Sequence, residues 1–146
     1  MGKSFKVRKI VRGQAEGEAV VLQGSFSFLG DVDMNTAEII AAGSPALGVS
    51  IKDKILIYKD TKGSSGGMVV LMTMMKKGIA PAALVTEKPV DYNLAEGAIL
   101  SKVPFVCEPD GDILSAIKTG MKVRIDADNG ILEVKDCSTE LHSVKR

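Results

Sequence analysis

Tryptophan is absent from this chain, histidine occurs once and cysteine twice. The single histidine, His142, stands in a polar C-terminal stretch, so a Ser-His-Asp triad within this chain is not expected. Cys107 and Cys137 follow no metal-ligand or redox spacing, and they read as two reduced thiols of a cytosolic protein. An excess of one charge is also missing: 19 Lys and Arg face 18 Asp and Glu, a net charge of +1. Nucleic-acid binding would need basic residues gathered on one face, and this balance supplies no such footprint. No apolar run approaches the ~20 residues that cross a bilayer. The opening "MGKSFKVRKIV" is basic but lacks the apolar core of a secretory signal. The expectation is a soluble, cytoplasmic protein.

What is present suits one domain. A chain of 146 residues, 45% of them apolar, can bury roughly 70% of its unfolded surface without disulfide staples. Neither a repeat nor a linker divides residues 1–146, so a single domain is expected, with its core over about residues 5–135 and a polar, fraying tail at 136–146. Aromatics are few, but four of the seven methionines fall between Met68 and Met75, giving a soft, adaptable apolar surface.

Along the chain, "FKVRKIVRG" alternates apolar and basic residues, with Phe5, Val7 and Lys9 sharing a face, and "GEAVVLQG" follows after a polar turn. Both read as strands of a half-buried sheet. The stretch from Ser25 to Pro45 reads as loop, with an Asx-type turn at Gly30–Asp33 and an apolar hook at Ala37–Ala42. "KDKILIYKD" is a continuous apolar run between charges, as in a buried strand. From Gly66 to Lys77 the pattern becomes helical, closed by "KKG", and nearly apolar all round. "APAALVTE" is a short buried strand; a short helical turn and a strand at Phe105–Cys107 come next. Ile113, Leu114 and Ile117 then form a helix face stopped by Gly120, and "MKVRIDADNGILEV" is a hairpin. The whole implies an α/β fold whose closed or folded-over sheet carries a few outer helices.

One constellation could carry chemistry: "KGSSGG", Lys62 to Gly67, between a strand and a helix. Such a turn aims backbone N–H groups at whatever sits before the helix, favouring an anion or lowering the pKa of a nucleophile or base. Ser64 and Ser65 can equally be N-caps, worth ~1 kcal/mol to the helix. The spacing fits neither a P-loop, nor a dinucleotide fingerprint, nor a G-x-S-x-G nucleophile elbow. Asp31, Asp33 and Asn35 alternate as in a calcium loop but lack its glycine and distal glutamate, so a solvated turn is the simpler reading. Glu16 and Glu18 read as exposed. A serine with no base beside it is a poor catalyst, so any chemistry at this turn needs groups from another chain.

In "GQAEGEAVVLQGSFSFLGDVDMNT", "IKDKILIYKDTKGSSGG" and "GIAPAALV" the chain resembles the small subunit of aconitase X-type dehydratases, from about Val11 to Val134. That resemblance implies a swivelling β/β/α domain split off as its own polypeptide, and a hydro-lyase subunit inactive without its large partner. It gives Ser64 the role of catalytic base, with Gly63, Ser65 and Gly66 as its substrate-binding neighbours. It places an iron or iron–sulfur centre on the large subunit and no cofactor on this chain. Members of the family dehydrate cis-3-hydroxy-L-proline, the substrate favoured here, or phosphomevalonate, the alternative. Three positions depart from the family's loop pattern: Asp31 replaces a glycine, Met34 a proline and Ala37 a glycine. Gly66 stands where aconitases proper have a carboxylate-binding arginine, which argues against citrate.

Two other readings compete. The segment from Val103 to Val134 also resembles the closing part of phosphohistidine swivel domains, but their chemistry needs a histidine where this chain has Ser-Ser-Gly-Gly. A non-catalytic swivel module that captures an anion in its glycine-rich loop is the remaining alternative.

Overall fold

A computed structural model describes residues 3–61, 66–89 and 92–135. The elements in chain order are β1 (Lys3–Lys6), β2 (Arg8–Val11), β3 (Gln14–Val21), α1 (Phe28–Asp31), β4 (Ile55–Tyr58), α2 (Gly66–Lys76), β5 (Ala83–Thr86), α3 (Tyr92–Ser101), β6 (Phe105–Cys107), α4 (Ile113–Ala116), β7 (Lys122–Asp126) and β8 (Ile131–Val134). The strands join in the order β1-β8-β7-β3-β4-β5-β6-β2. β3 through β6 run parallel, and the rest pair antiparallel. Because β1 and β2 are consecutive, one stretch of chain forms both ends of the sheet. It pairs with β8 through Lys3–Lys6 and with β6 through Arg8–Val11, so the sheet nearly closes on itself. The expected α/β swivel architecture with a folded-over sheet is the one observed.

β4 and β5 show why their sequences read as unbroken apolar runs. Leu56, Tyr58 and Leu84 face a core shared with α2 and α3, while Ile55, Ile57, Ala83 and Val85 face a second core that contains α4 and the β7–β8 hairpin. A strand covered on both faces has no polar side. Thr86 ends β5 fully buried, and its hydroxyl donates to the Lys88 carbonyl at 2.9 Å.

The helices depart from expectation in instructive ways. α2 ends at Lys76, within a residue of the predicted stop, but it is not buried all round. Gly67, Val70, Leu71 and Met74 face inward at the i, i+3, i+4, i+7 spacing of one helix stripe, while Val69 and Met75 are exposed. α3, expected as a short turn, runs ten residues. Its Gly97 lets it approach α2, where an added Cβ would lie 2.9 Å from Met68 Cγ and 3.1 Å from Met68 Cα. α4 stops at Ala116, earlier than Gly120 suggested: Ile117 turns extended and Asp112 caps the start. Lys9 does not share the face of Phe5 and Val7 inward, because a register shift between Lys9 and Val11 turns Val11 into the core and leaves Lys9 exposed.

Candidate functional site

β4 and β5 are parallel neighbours, each followed by a helix, so the segments after Tyr58 and Thr86 emerge at one carboxyl edge. Ligands of α/β sheets gather at such edges. Glu87 N–H donates to the Tyr58 carbonyl at 3.1 Å and Lys88 N–H to the Lys59 carbonyl at 2.9 Å, which holds the two exits together. Of the residues singled out by sequence, Lys62, Gly63, Ser64 and Ser65 lie outside the described residues, as do Cys137 and His142. Gly66 is described, as is the chain up to Thr61.

On the entry side, a segment from the loop after β3 lies alongside the chain leaving β4. Phe26 forms a parallel bridge with Thr61, and its N–H donates to the Asp60 carbonyl at 3.0 Å. Lys59 N–H donates to the Gly24 carbonyl at 3.1 Å, and the Ser25 hydroxyl donates to the Asp60 carboxylate. Tyr58 and Thr61 hydroxyls lie 3.1 Å apart in a hydrogen bond. Phe26 packs edge-on against Phe28, ring centroids 5.1 Å apart, and against Tyr58 at 5.2 Å. These three rings are almost wholly buried, so the polar contacts sit on a firm apolar base.

On the exit side, α1 begins at a reciprocal cap. Ser27 Oγ accepts the Leu29 N–H at 3.2 Å, and Asp31 Oδ2 accepts the Ser27 N–H at 2.9 Å. Asp31, where the resembled pattern has glycine, thus anchors its own turn. Leu29 projects over the start of α2: a Cβ added to Gly66 would meet Leu29 Cδ2 at 2.5 Å. A side chain at position 66 would have to push the exposed Leu29 aside. Gly67 is less confined: its added Cβ would lie 3.7 Å from Phe28 Cβ, an ordinary van der Waals contact. Ala37, the other replaced glycine, keeps a positive φ of 65° and is fully buried. The loop therefore retains the backbone conformation that glycine adopts more cheaply.

A cavity of about 300 Å³ opens beside this segment, lined by Gln23, Ser25, Phe26, Asp31, Ile39 and Ser44 among others. A wider groove of about 570 Å³ runs between β1 and the β7–β8 turn, lined by Ser4, Lys6, Asp110, Asn129 and Glu133, and shares no residue with the first. The acidic alternation at Asp31, Asp33 and Asn35 forms turns: Asp33 Oδ1 accepts the Asn35 N–H at 2.8 Å. Among the described residues no group of three His, Cys, Asp or Glu could hold a metal ion. Cys107 is buried, and Glu16 and Glu18 are exposed. Glu18 pairs with Lys54 at 2.6 Å, a hydrogen bond and charge that hold its carboxyl below the usual range. No helix among the described residues is long and apolar enough to cross a membrane.

The parts played by Ser25, Asp60 and Leu29 were not foreseen from sequence. Ser25 and Asp60 are 35 positions apart, and only the β3–β4 pairing brings them together.

Comparison with known proteins gives this site a setting. The family profile of the aconitase X swivel domain matches residues 4–134. The phosphomevalonate dehydratase small subunit of Thermococcus kodakarensis is 44% identical over 130 residues, 89% of this chain and 95% of that protein. The protein of the same name from Methanococcoides burtonii is 37% identical over 134 residues, 90% and 96% of the two chains. Among solved structures, the holo form of Thermococcus kodakaraensis aconitase X superposes with a TM-score of 0.85 at 42% identity, over 92% of this chain and 99% of that one.

Proposed function

This chain belongs to the aconitase X swivel-domain family, and from that premise we propose that it is the small subunit of a two-subunit hydro-lyase, with phosphomevalonate as substrate and Ser64 as the general base. The observation that carries the substrate is the consistent name of relatives that align over nearly their whole length. It moves the weight from cis-3-hydroxy-L-proline, favoured on sequence alone, to the alternative. Two exposed cations, Lys59 and Lys88, stand at the carboxyl edge where a phosphorylated substrate would approach.

Dehydration of a β-hydroxy acid removes a proton from the carbon next to the carboxylate and hydroxide from the carbon beyond. The C–H electron pair becomes the double bond, and the hydroxyl departs as water once protonated. A base held against that carbon contributes about 10²–10⁴ in rate. A serine alkoxide is too basic to persist in neutral water. Backbone N–H groups at a helix start and a nearby cation, for which Lys62 is the local candidate, lower that cost. Ser64 is two residues before Gly66, where α2 begins. The iron or iron–sulfur centre that the resemblance implies belongs to the large subunit; among the described residues of this chain no group of three His, Cys, Asp or Glu could hold a metal ion.

The test is co-expression with the large subunit followed by dehydration assays on both substrates. Turnover of phosphomevalonate by the complex, and by neither subunit alone, is the expected result. Turnover of cis-3-hydroxy-L-proline alone would overturn the substrate; no turnover of either would favour an anion-binding module.

A further inference from the structure

α2 carries no charge until its last residue, Lys76. Gly67, Val70, Leu71 and Met74 turn inward, and the opposite face is where a surface helix ordinarily places its charged residues. Here that face holds Val69, 57% exposed, Met75, 42% exposed, and the half-buried Met68 and Met72. Leu29, 53% exposed, lies against Gly66, three residues before Val69, and extends the apolar strip past the start of the helix. At the other end the Lys77 ammonium donates to the Asn35 side-chain carbonyl, which brings the turn with the exposed Met34 to the close of the helix. Apolar side chains scattered singly over a surface need no explanation, but a continuous strip of them marks a contact with another molecule.

We propose that this outer face of α2, continued by Leu29, is the surface on which the large subunit docks; the inference rests on the two-subunit reading given above. Three observations select that occupant. Relatives named small subunits are matched over 95% and 98% of their own length, which leaves the companion outside this chain. The strip starts at Leu29 and Gly66, and Leu29 belongs to the segment that the Phe26–Thr61 bridge holds at the carboxyl edge of β4. A body that reaches this edge to complete the site meets Leu29 and Val69 first. Other exposed aliphatics are differently placed: Leu47 stands in a loop, and Ile99 lines a groove rimmed by Lys9, Arg12 and Lys102. The third observation is composition. Methionine is unbranched and polarisable, so a face built of it moulds to a partner that is not its own sheet. The matching surface on the large subunit is apolar at its centre, with an acidic group where it meets the exposed Lys76.

The experiment titrates the full chain against the large subunit and reads the Kd of assembly. Val69→Glu and Met75→Glu are the variants, and Leu47→Glu is the control at an exposed site off the strip. The expected result is a Kd raised by about 30-fold or more in Val69→Glu and in Met75→Glu, as for a charge set into the core of an interface. Leu47→Glu should change it by less than about threefold. Thermal unfolding of the isolated variants should match the parent, since all three side chains are exposed. The parent supplies a second readout that needs no variant: peroxide oxidises Met75 in the free chain, and assembly protects it. Parental affinity in both variants, or Met75 oxidised as fast in the complex as outside it, overturns the docking face. Self-association of the isolated chain that these substitutions abolish, with assembly on the large subunit intact, gives the strip to a second copy and overturns it as well. A complex that forms but leaves phosphomevalonate unchanged refutes the function proposed above and not the interface, whereas a parent chain that fails to bind the large subunit overturns both.

Discussion

At Gly66 the absence of a side chain is a packing requirement. The nearest obstacle to an added methyl is the far end of Leu29, with Leu29 Cγ and Cβ behind it at 3.2 and 3.4 Å. Gly66→Ala should therefore cost about 1 kcal/mol, the low end for overpacking, because an exposed leucine can swing aside. The double variant with Leu29→Ala should recover that loss in thermal unfolding; additive losses would show that the two residues do not press on each other. A second residue prediction concerns acid. The Asn129 side chain, aided by its N–H and by Arg124, holds the Asp126 carboxyl below its usual range. A lowered folded pKa gives stability that is present above the unfolded value of about 3.9 and lost as pH falls through the folded one. Asn129→Ala should therefore be less stable than the parent near pH 6, with the difference vanishing at the acid end of a denaturation series. A difference that persists unchanged there would contradict the assignment. Asn129 was legible as a turn residue from "DADNG", but its effect on Asp126 was not, because it depends on a turn geometry that spacing alone leaves open.

Among elements, the parallel strands were the most readable and the helices the least. "KILIY" and "AALVT" are apolar on successive residues, and only a strand covered on both faces asks for that. α2 misled by its methionines. Apolar content says a surface wants cover, but whether the cover is the helix's own sheet or another chain is not encoded in content. The inward stripe of Val70, Leu71 and Met74 is set by spacing, and Val69 and Met75 are left outside it. α3 was underestimated because Gly97 weakens a helix by about 1 kcal/mol relative to alanine. The tertiary contact reverses the sign: at Gly97 the obstacle includes the Met68 Cα, which cannot rotate away. Gly97→Ala should cost about 1–3 kcal/mol by prising α2 from α3. Chemical denaturation checks this, and a stabilised variant would mean that helix propensity outweighs packing there.

For the whole molecule, closure of the sheet by the single β1–β2 stretch leaves the two long helices on one side and α4 on the other. The site sits at the carboxyl edge, outside both cores. That edge carries hydroxyls, lysines and a glycine-led helix and, among the described residues, no histidine and no metal cluster. The general architecture and the location of this edge followed from strand and helix order. The contacts of Ser25 and Phe26 with Asp60 and Thr61 did not, since two segments remote in sequence become neighbours only when β3 and β4 pair. On the function proposed above, a site of this composition is half of an active centre whose companion, the large subunit, supplies the rest. The account stands on one hydroxyl, and one comparison tests it most directly: kcat of the assembled enzyme on phosphomevalonate for Ser64→Ala and Ser65→Ala beside the parent. Loss of about 100-fold or more in Ser64→Ala, against a change within about tenfold in Ser65→Ala, is the predicted result. Full activity of Ser64→Ala, or a loss that falls on Ser65→Ala instead, would contradict it.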